Sequence, residues 1–326
     1  MSVVIVSSAF SLEVGNSISA IQLHRGNAFA EILPEFGAMC NHLELCNDID
    51  ESKSIILGLH NSAELSDNSA YRGIVLFPFP NRLADGCCEF NGVKYRFPCN
   101  ESESNNSLHG SVFEKSFDVD IIDEHSVVLT YKYDEADVSF PFKASLKIIY
   151  RLLSNAELTL EFVVVNNDIT TLPLGLGWHP YYSFGGAIND LALELPKLTL
   201  IELDDRSLPT GNRSDYDVSR HRNGISTTSF DDCFYCEEKT PRYVVELLDK
   251  KNRLKLSIWQ SRQGTNGGDF VPGFQYIQVC SDHARQSIAV EPMTCSVNAF
   301  NTREGLITLA PSMEYRVSCG VTLSAE

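Results

Sequence analysis

Five short segments carry polar residues where apolar neighbours make them costly to bury. Asn81 and Arg82 sit in FPFPNRLADG, His109 in NNSLHGS and His179 in LGLGWHPYYS. Asp231 and Asp232 sit in SFDDCFY, and Glu291 follows the apolar run in SIAVEPMT. A carboxylate in an apolar wall has a raised pKa and can act as a base near neutral pH. A histidine is the side chain best suited to give or take a proton in that range.

Each residue also has a plainer reading. Arg82 could snorkel from an apolar edge or pair with Asp85. His109, before Gly110, could be a turn histidine touching a carbonyl. His179 could be a satisfied core histidine, and Glu291 a strand-end carboxylate paired to an arginine. The functional reading gives Arg82 a planar fork of donors for hydroxyl or carboxylate oxygens. It puts His179 at a strand end, because Pro180 cannot continue a ladder and Gly175 and Gly177 leave room beside it. Tyr181 and Tyr182 offer flat apolar faces with polar tips, which suits one C–H face of a sugar. Adjacent Asp231 and Asp232 cannot both be buried unpaired.

The surrounding elements read as strands. The stretches 3–10, 126–133, 138–152, 157–166, 191–203, 253–260 and 315–324 are rich in β-branched and aromatic residues. In ELTLEFVVVN, Leu158, Leu160 and Phe162 alternate with Thr159 and Glu161, the period of a half-buried strand. Asn91-Gly92, Asn166 to Asp168 and Gly264 to Gly268 mark turns. Residues 204–230 read as a loop, and no amphipathic helix exceeds a turn or two. The pattern predicts an all-β fold, a large antiparallel two-sheet sandwich, as a single domain over 1–326.

Composition narrows the partners. The 326 residues carry a net charge of −17, which argues against nucleic acid and mildly against a strongly anionic substrate. No apolar run is long enough for a membrane helix, and the N-terminus lacks a signal-peptide pattern. The 10 cysteines, with Cys87 and Cys88 adjacent, do not form a disulfide framework, so a reduced, cytoplasmic protein is expected. Cys233 and Cys236 form a CxxC without a second ligand pair, a weak signal for a metal or redox site.

In this order the segments resemble the aldose 1-epimerase (galactose mutarotase-like) family. The resemblance runs through PNRLADG, EFNGVKYRF, the spaced Asn100 and NSLHG, GWHPYYSF, FDDCF, AVEPMTCSVNAFN and the closing GLITLAPSMEYRVSCGVTL, over roughly residues 20–323. It implies a β supersandwich and interconversion of the α and β anomers of a free aldose, without metal or nucleotide cofactor. It implies Glu291 as the base at the anomeric hydroxyl, His179 as the acid at the ring oxygen, and His109 as the second histidine holding that region. Arg82 and Asp231, with Asn81, would bind sugar hydroxyls, while Trp178 and Tyr181 would shape the pocket. Asp231 is preferred to Asp232 because it lies three residues before Phe234. The GLG before His179 and the single glycine after His109 depart from the best-characterised galactose mutarotases, which leaves the preferred sugar open. A hexose-6-phosphate epimerase, drawing on Arg72, Arg206, Arg213, Arg220 or Arg222, and a non-catalytic sugar binder are the competing readings. The expected partner is a small aldose, and the expected state a monomer or homodimer.

Overall fold

The computed structural model describes residues 6–11, 17–56 and 58–326. Among them, one sheet holds 13 strands and a second holds 10, with three two-stranded ribbons. Every strand–strand ladder in the two large sheets is antiparallel. The helices are short, Ser62–Ser66 and Ala299–Thr302. No helix among the described residues is long and apolar enough to cross a membrane.

The alternation read from sequence builds the second sheet. Ala144–Ser154, Glu157–Asn166 and Glu314–Ala325 lie side by side in it. Leu158, Leu160 and Phe162 are fully buried, while Thr159 and Glu161 are partly exposed. These side chains join Ile148, Leu256, Ile258 and Val321 in one core that also takes Ile277, Val279 and Val290 from the first sheet. The antiparallel sandwich expected from the pattern is therefore the architecture found.

Three boundaries differ from expectation. The strand expected over 138–152 begins at Ala144, because Pro141 cannot join a ladder and residues 137–143 turn instead. The strand expected over 191–203 is two strands, Ala192–Glu194 and Leu198–Leu203, in different sheets. Pro196 lies between them and ends the first. The loop expected over 204–230 contains the strand Pro209–Asp215, which folds back on Leu198–Leu203. Its residues are polar and mostly exposed, so hydrophobic alternation does not mark it. Of the expected strand over 3–10, residues 3–5 lie outside the described residues, and a strand runs Val6–Ser11.

Candidate active site

The first sheet sets out the site by register. Asp231–Cys236, Tyr276–Ser281 and Ile288–Met293 are neighbours, and Tyr181–Tyr182 lies beyond them. Cys233 faces Gln278, and Gln278 faces Glu291. Gly177 pairs with Met293 and Tyr181 with Ala289, one shared register that sets His179 directly opposite Glu291. Directly opposed residues share a face, and the face alternates along each strand. Asp231, Cys280, Ala289 and Tyr181 therefore form the neighbouring row on the same face. Asp232 takes the opposite face with Phe234, Val279 and Val290, the last three of which belong to the core. Parity thus separates two aspartates that sequence alone leaves side by side.

His179 is held by its own backbone. Its N–H donates to Ile74 O at 3.0 Å, and its carbonyl accepts from Gly73 N–H at 2.9 Å. On the other side, Pro180 has no N–H to give. The side chain meets Glu291, with Nε2 and Oε1 3.3 Å apart. Gly175 and Gly177 let the preceding segment pack closely, since a Cβ on Gly175 would lie 2.4 Å from Cys295 Sγ and one on Gly177 3.0 Å from Pro292 O.

His109 arrives on a different element. Asn81 and His109 both have left-handed backbone, with φ of 59° and 66°. Asparagine and histidine are among the residues that tolerate this region best. His109 N–H donates to Asn81 O at 2.8 Å, and Asn81 N–H donates to His109 Nδ1 at 3.2 Å. Nδ1 is therefore an acceptor, and the neutral ring carries its proton on Nε2. Rings run in sequence through the site: Tyr71 to His109 at 4.8 Å, His109 to His179 at 5.0 Å, His179 to Tyr181 at 5.3 Å.

Polar groups rim the cluster. Arg82 donates from Nε and Nη2 to Glu101 at 3.0 to 3.1 Å and lies 4.0 Å from Asp231. It does not pair with Asp85, which instead receives Arg206. Asn81 Nδ2 donates to Gln278 Oε1 at 3.1 Å, and Gln278 Nε2 donates to Asp231 Oδ1 at 2.7 Å. Arg72 lies 4.4 Å over the Tyr181 ring and donates to Ser287 and Asp282. Trp178, expected in the pocket, lies in the main core, with its indole N–H donating to Gly73 O at 3.3 Å. It supports the strand behind His179.

Burial dominates the electrostatics. It pushes the Glu291 carboxyl well above its ordinary value, and nearby Asp231 adds to the rise while Arg82 opposes it. Burial pushes His179 down to about 3, and Arg72 adds to the fall. His109 is lowered by burial and by its neighbours His179 and Arg82. Glu291 Oε2 and His179 Nδ1 are buried without a hydrogen-bond partner. Such orphaned polar atoms are expensive, and sites built for a polar ligand carry them.

His109, His179 and Glu291 each offer a donor atom within 4.8 Å of the others, a set that could hold a metal ion. The surrounding hydrogen bonds oppose it. A ligating histidine gives its other ring N–H to an acceptor. His109 instead receives a donor at Nδ1, so its Nε2 presents a proton where a metal needs a lone pair.

Sequence reasoning missed Gln278, Glu101 and Tyr71. Gln278 is a buried amide in the otherwise apolar YIQV, a detectable signal. Glu101 lies in the acidic ESES stretch and reads as solvated surface. Tyr71 gives no local signal at all.

Residues 19–322 match the family model for aldose 1-epimerase. The chain belongs to the aldose 1-epimerase family. It is 27% identical over 255 residues to the uncharacterized protein YihR of Escherichia coli K12, covering 76% of this chain and 78% of that one. It is 22% identical over 279 residues to human galactose mutarotase, covering 79% and 80%. A solved galactose mutarotase-like protein from Clostridium acetobutylicum shares the fold with a TM-score of 0.82 at 21% identity, covering 95% of this chain and 96% of that one. The GalM/aldose epimerase homologue of Caenorhabditis elegans gives a TM-score of 0.79 at 19% identity, covering 94% and 98%.

Proposed function

We propose that the protein is an aldose 1-epimerase that interconverts the α and β anomers of a free hexose. One observation carries this reading: a buried carboxyl and a buried imidazole stand 3.3 Å apart on one sheet face, each with an orphaned polar atom. Mutarotation removes the proton of the anomeric hydroxyl O1 and adds one to the ring oxygen O5. Glu291 accepts the first as its carboxylate. His179, as imidazolium, gives the second while the C1–O5 bond breaks. The open aldehyde turns about its C1–C2 bond, and the reverse steps close it on the other face.

The opposed pKa shifts fit this cycle. Burial disfavours the charged form of both groups, raising Glu291 and lowering His179, so the proton the pair shares is favoured on the carboxyl. Passing that proton from Glu291 to His179 creates the base and the acid at once. Sugar hydroxyls entering the site replace lost solvation and make that ion pair accessible. His109, with its proton fixed on Nε2, donates a hydrogen bond toward the ring oxygen. Arg82, Asp231 and Asn81 bind the remaining hydroxyls, and Tyr181 walls the pocket beside His179. General acid and base catalysis of about 10²–10⁴-fold each suffices for a reaction that already runs slowly in water.

The arginines favour a neutral sugar over a 6-phosphate. Of the five arginines open to a phosphate, Arg72, Arg206 and Arg213 already pair with Asp282, Asp85 and Glu304, while Arg220 and Arg222 lie exposed on the turn at 218–223; Arg82, beside the histidines, pairs with Glu101. A pure sugar binder gains nothing from a carboxyl and an imidazole held so far from their ordinary pKa values.

The test is polarimetry on freshly dissolved α-D-glucose and α-D-galactose. Faster approach to the uncatalysed equilibrium is expected with at least one. Acceleration with glucose 6-phosphate alone would replace the free hexose by the phosphate ester. Binding without acceleration would sink the enzymatic reading.

A further inference from the structure

We propose that Tyr71 is a positioning residue for the histidine pair: its ring fixes His109 edge-on against His179 and seals both from a neighbouring cavity. The inference rests on the epimerase reading for its kinetic consequences, but not for its structural ones.

Tyr71 has left-handed backbone, with φ of 54°. A bulky aromatic residue rarely adopts this conformation, and such outliers gather at functional sites. The turn that imposes it also serves His179. Gly73 and Ile74, just beyond Tyr71, make both backbone hydrogen bonds of His179, and Arg72 covers Tyr181. The Tyr71 ring lies 4.8 Å from His109 at 62° and 6.5 Å from His179. Phe113 braces it at 5.2 Å and a right angle. Its hydroxyl accepts from Asn100 Nδ2 at 2.9 Å. Asn100 in turn bonds both backbone groups of Leu108, the residue before His109. Tyr71 is therefore tied to both histidines through ring contact and through the chain.

Tyr71 lines a cavity of about 440 Å³ whose other walls include the apolar Phe36, Leu65 and Phe113 and the acidic Glu35, Asp67 and Glu114. Truncation at Tyr71 joins that cavity to the histidines and lets water reach them. The charged and titratable groups facing His179 are Glu291, His109, Arg72, Tyr181 and Tyr71. Those facing His109 are His179, Arg82 and Tyr71. Tyr71 is the member of these sets that also borders the cavity, so its loss changes hydration without removing a charge.

Tyr71→Ala, Tyr71→Gly and Tyr71→Phe test this. Tyr71→Phe keeps the ring and its contacts with both histidines but loses the bond from Asn100, so it should lose less kcat than Tyr71→Ala and shift the histidine titrations less. Tyr71→Ala should lose kcat by about 10–100-fold, as displaced catalytic groups do, with KM little changed. The limb of its pH–rate profile set by the histidines should move up, toward the ordinary imidazole value. Added 4-methylphenol should restore part of kcat by refilling the apolar space. Tyr71→Gly relieves the left-handed backbone and keeps the test available if the alanine variant does not fold. Histidine side-chain NMR titrations of wild type and variants give a readout independent of turnover. Unchanged histidine titrations in Tyr71→Ala or Tyr71→Gly overturn the proposal. So does a loss of kcat that 4-methylphenol leaves untouched. A wild type that accelerates no sugar sinks the epimerase reading instead, and the NMR titrations still decide the role of Tyr71.

Discussion

Glu291 lies 3.3 Å from His179, and its second carboxyl oxygen has no partner. Glu291→Gln keeps the shape and removes the base, so mutarotation should fall by about 10²–10⁴-fold in polarimetry. The same variant should be more stable at neutral pH. Burial raises the folded-state pKa of Glu291 above its ordinary 4.5, so the folded protein holds this proton more tightly than the unfolded chain. Stability then falls as pH rises from 4.5 through the raised value. Glu291→Gln removes that loss, so its advantage in Tm should be present at about pH 8 and vanish near about pH 4. An equal Tm difference at both would contradict the shift. For His179 the sign is reversed. Its pKa is lowered from 6.5 to about 3, so stability is lost as pH falls through that window. His179→Asn should flatten this acid limb and abolish activity.

Elements decide whether these side chains meet. Arg82 and His109 come from the ribbon of Arg82–Ala84 with Asn106–Leu108, while His179 and Glu291 come from the first sheet. The two parts meet through close packing that only glycine permits. A Cβ on Gly110, which has φ of 72°, would lie 2.3 Å from Phe77 O. Gly110→Ala should therefore displace His109 and lower kcat in polarimetry by about 10²-fold while the sandwich stays folded. Unchanged kcat would show that His109 is not held through this contact. Arg82→Ala should act differently. Arg82 rims the cluster and is braced by Glu101, so its loss should mainly raise KM, as should the milder Glu101→Gln.

At the scale of the molecule, the net charge of −17 and the paired arginines bear on substrate charge. A neutral sugar feels no long-range field. The kcat/KM for glucose or galactose should hold constant between about 0.05 and about 0.5 M salt, where screening of an ionic substrate would change it. A steep salt dependence would point to an anionic sugar. All 10 cysteines are free thiols, and Cys99 is exposed while Cys40, Cys46, Cys88, Cys233, Cys236, Cys295 and Cys319 are buried. The CxxC of Cys233 and Cys236 is thus core packing.

The sequence by itself determined the sandwich and most of the candidate site. Alternation in 157–166 is a local property, because each residue's face follows from its place in the strand. Polar residues at the ends of apolar runs, such as His179 and Glu291, stand out for the same reason. Tertiary structure alone decided the rest. Which of Asp231 and Asp232 shares a face with Glu291 depends on pairing with a strand about 50 residues away, and so on long-range register. Gln278, Glu101 and Tyr71 join the site through contacts between distant segments. The proton of His109 sits on Nε2 because Asn81, 28 residues earlier, turns its N–H toward Nδ1. A hydrogen bond formed only by the folded chain leaves no trace in the order of residues.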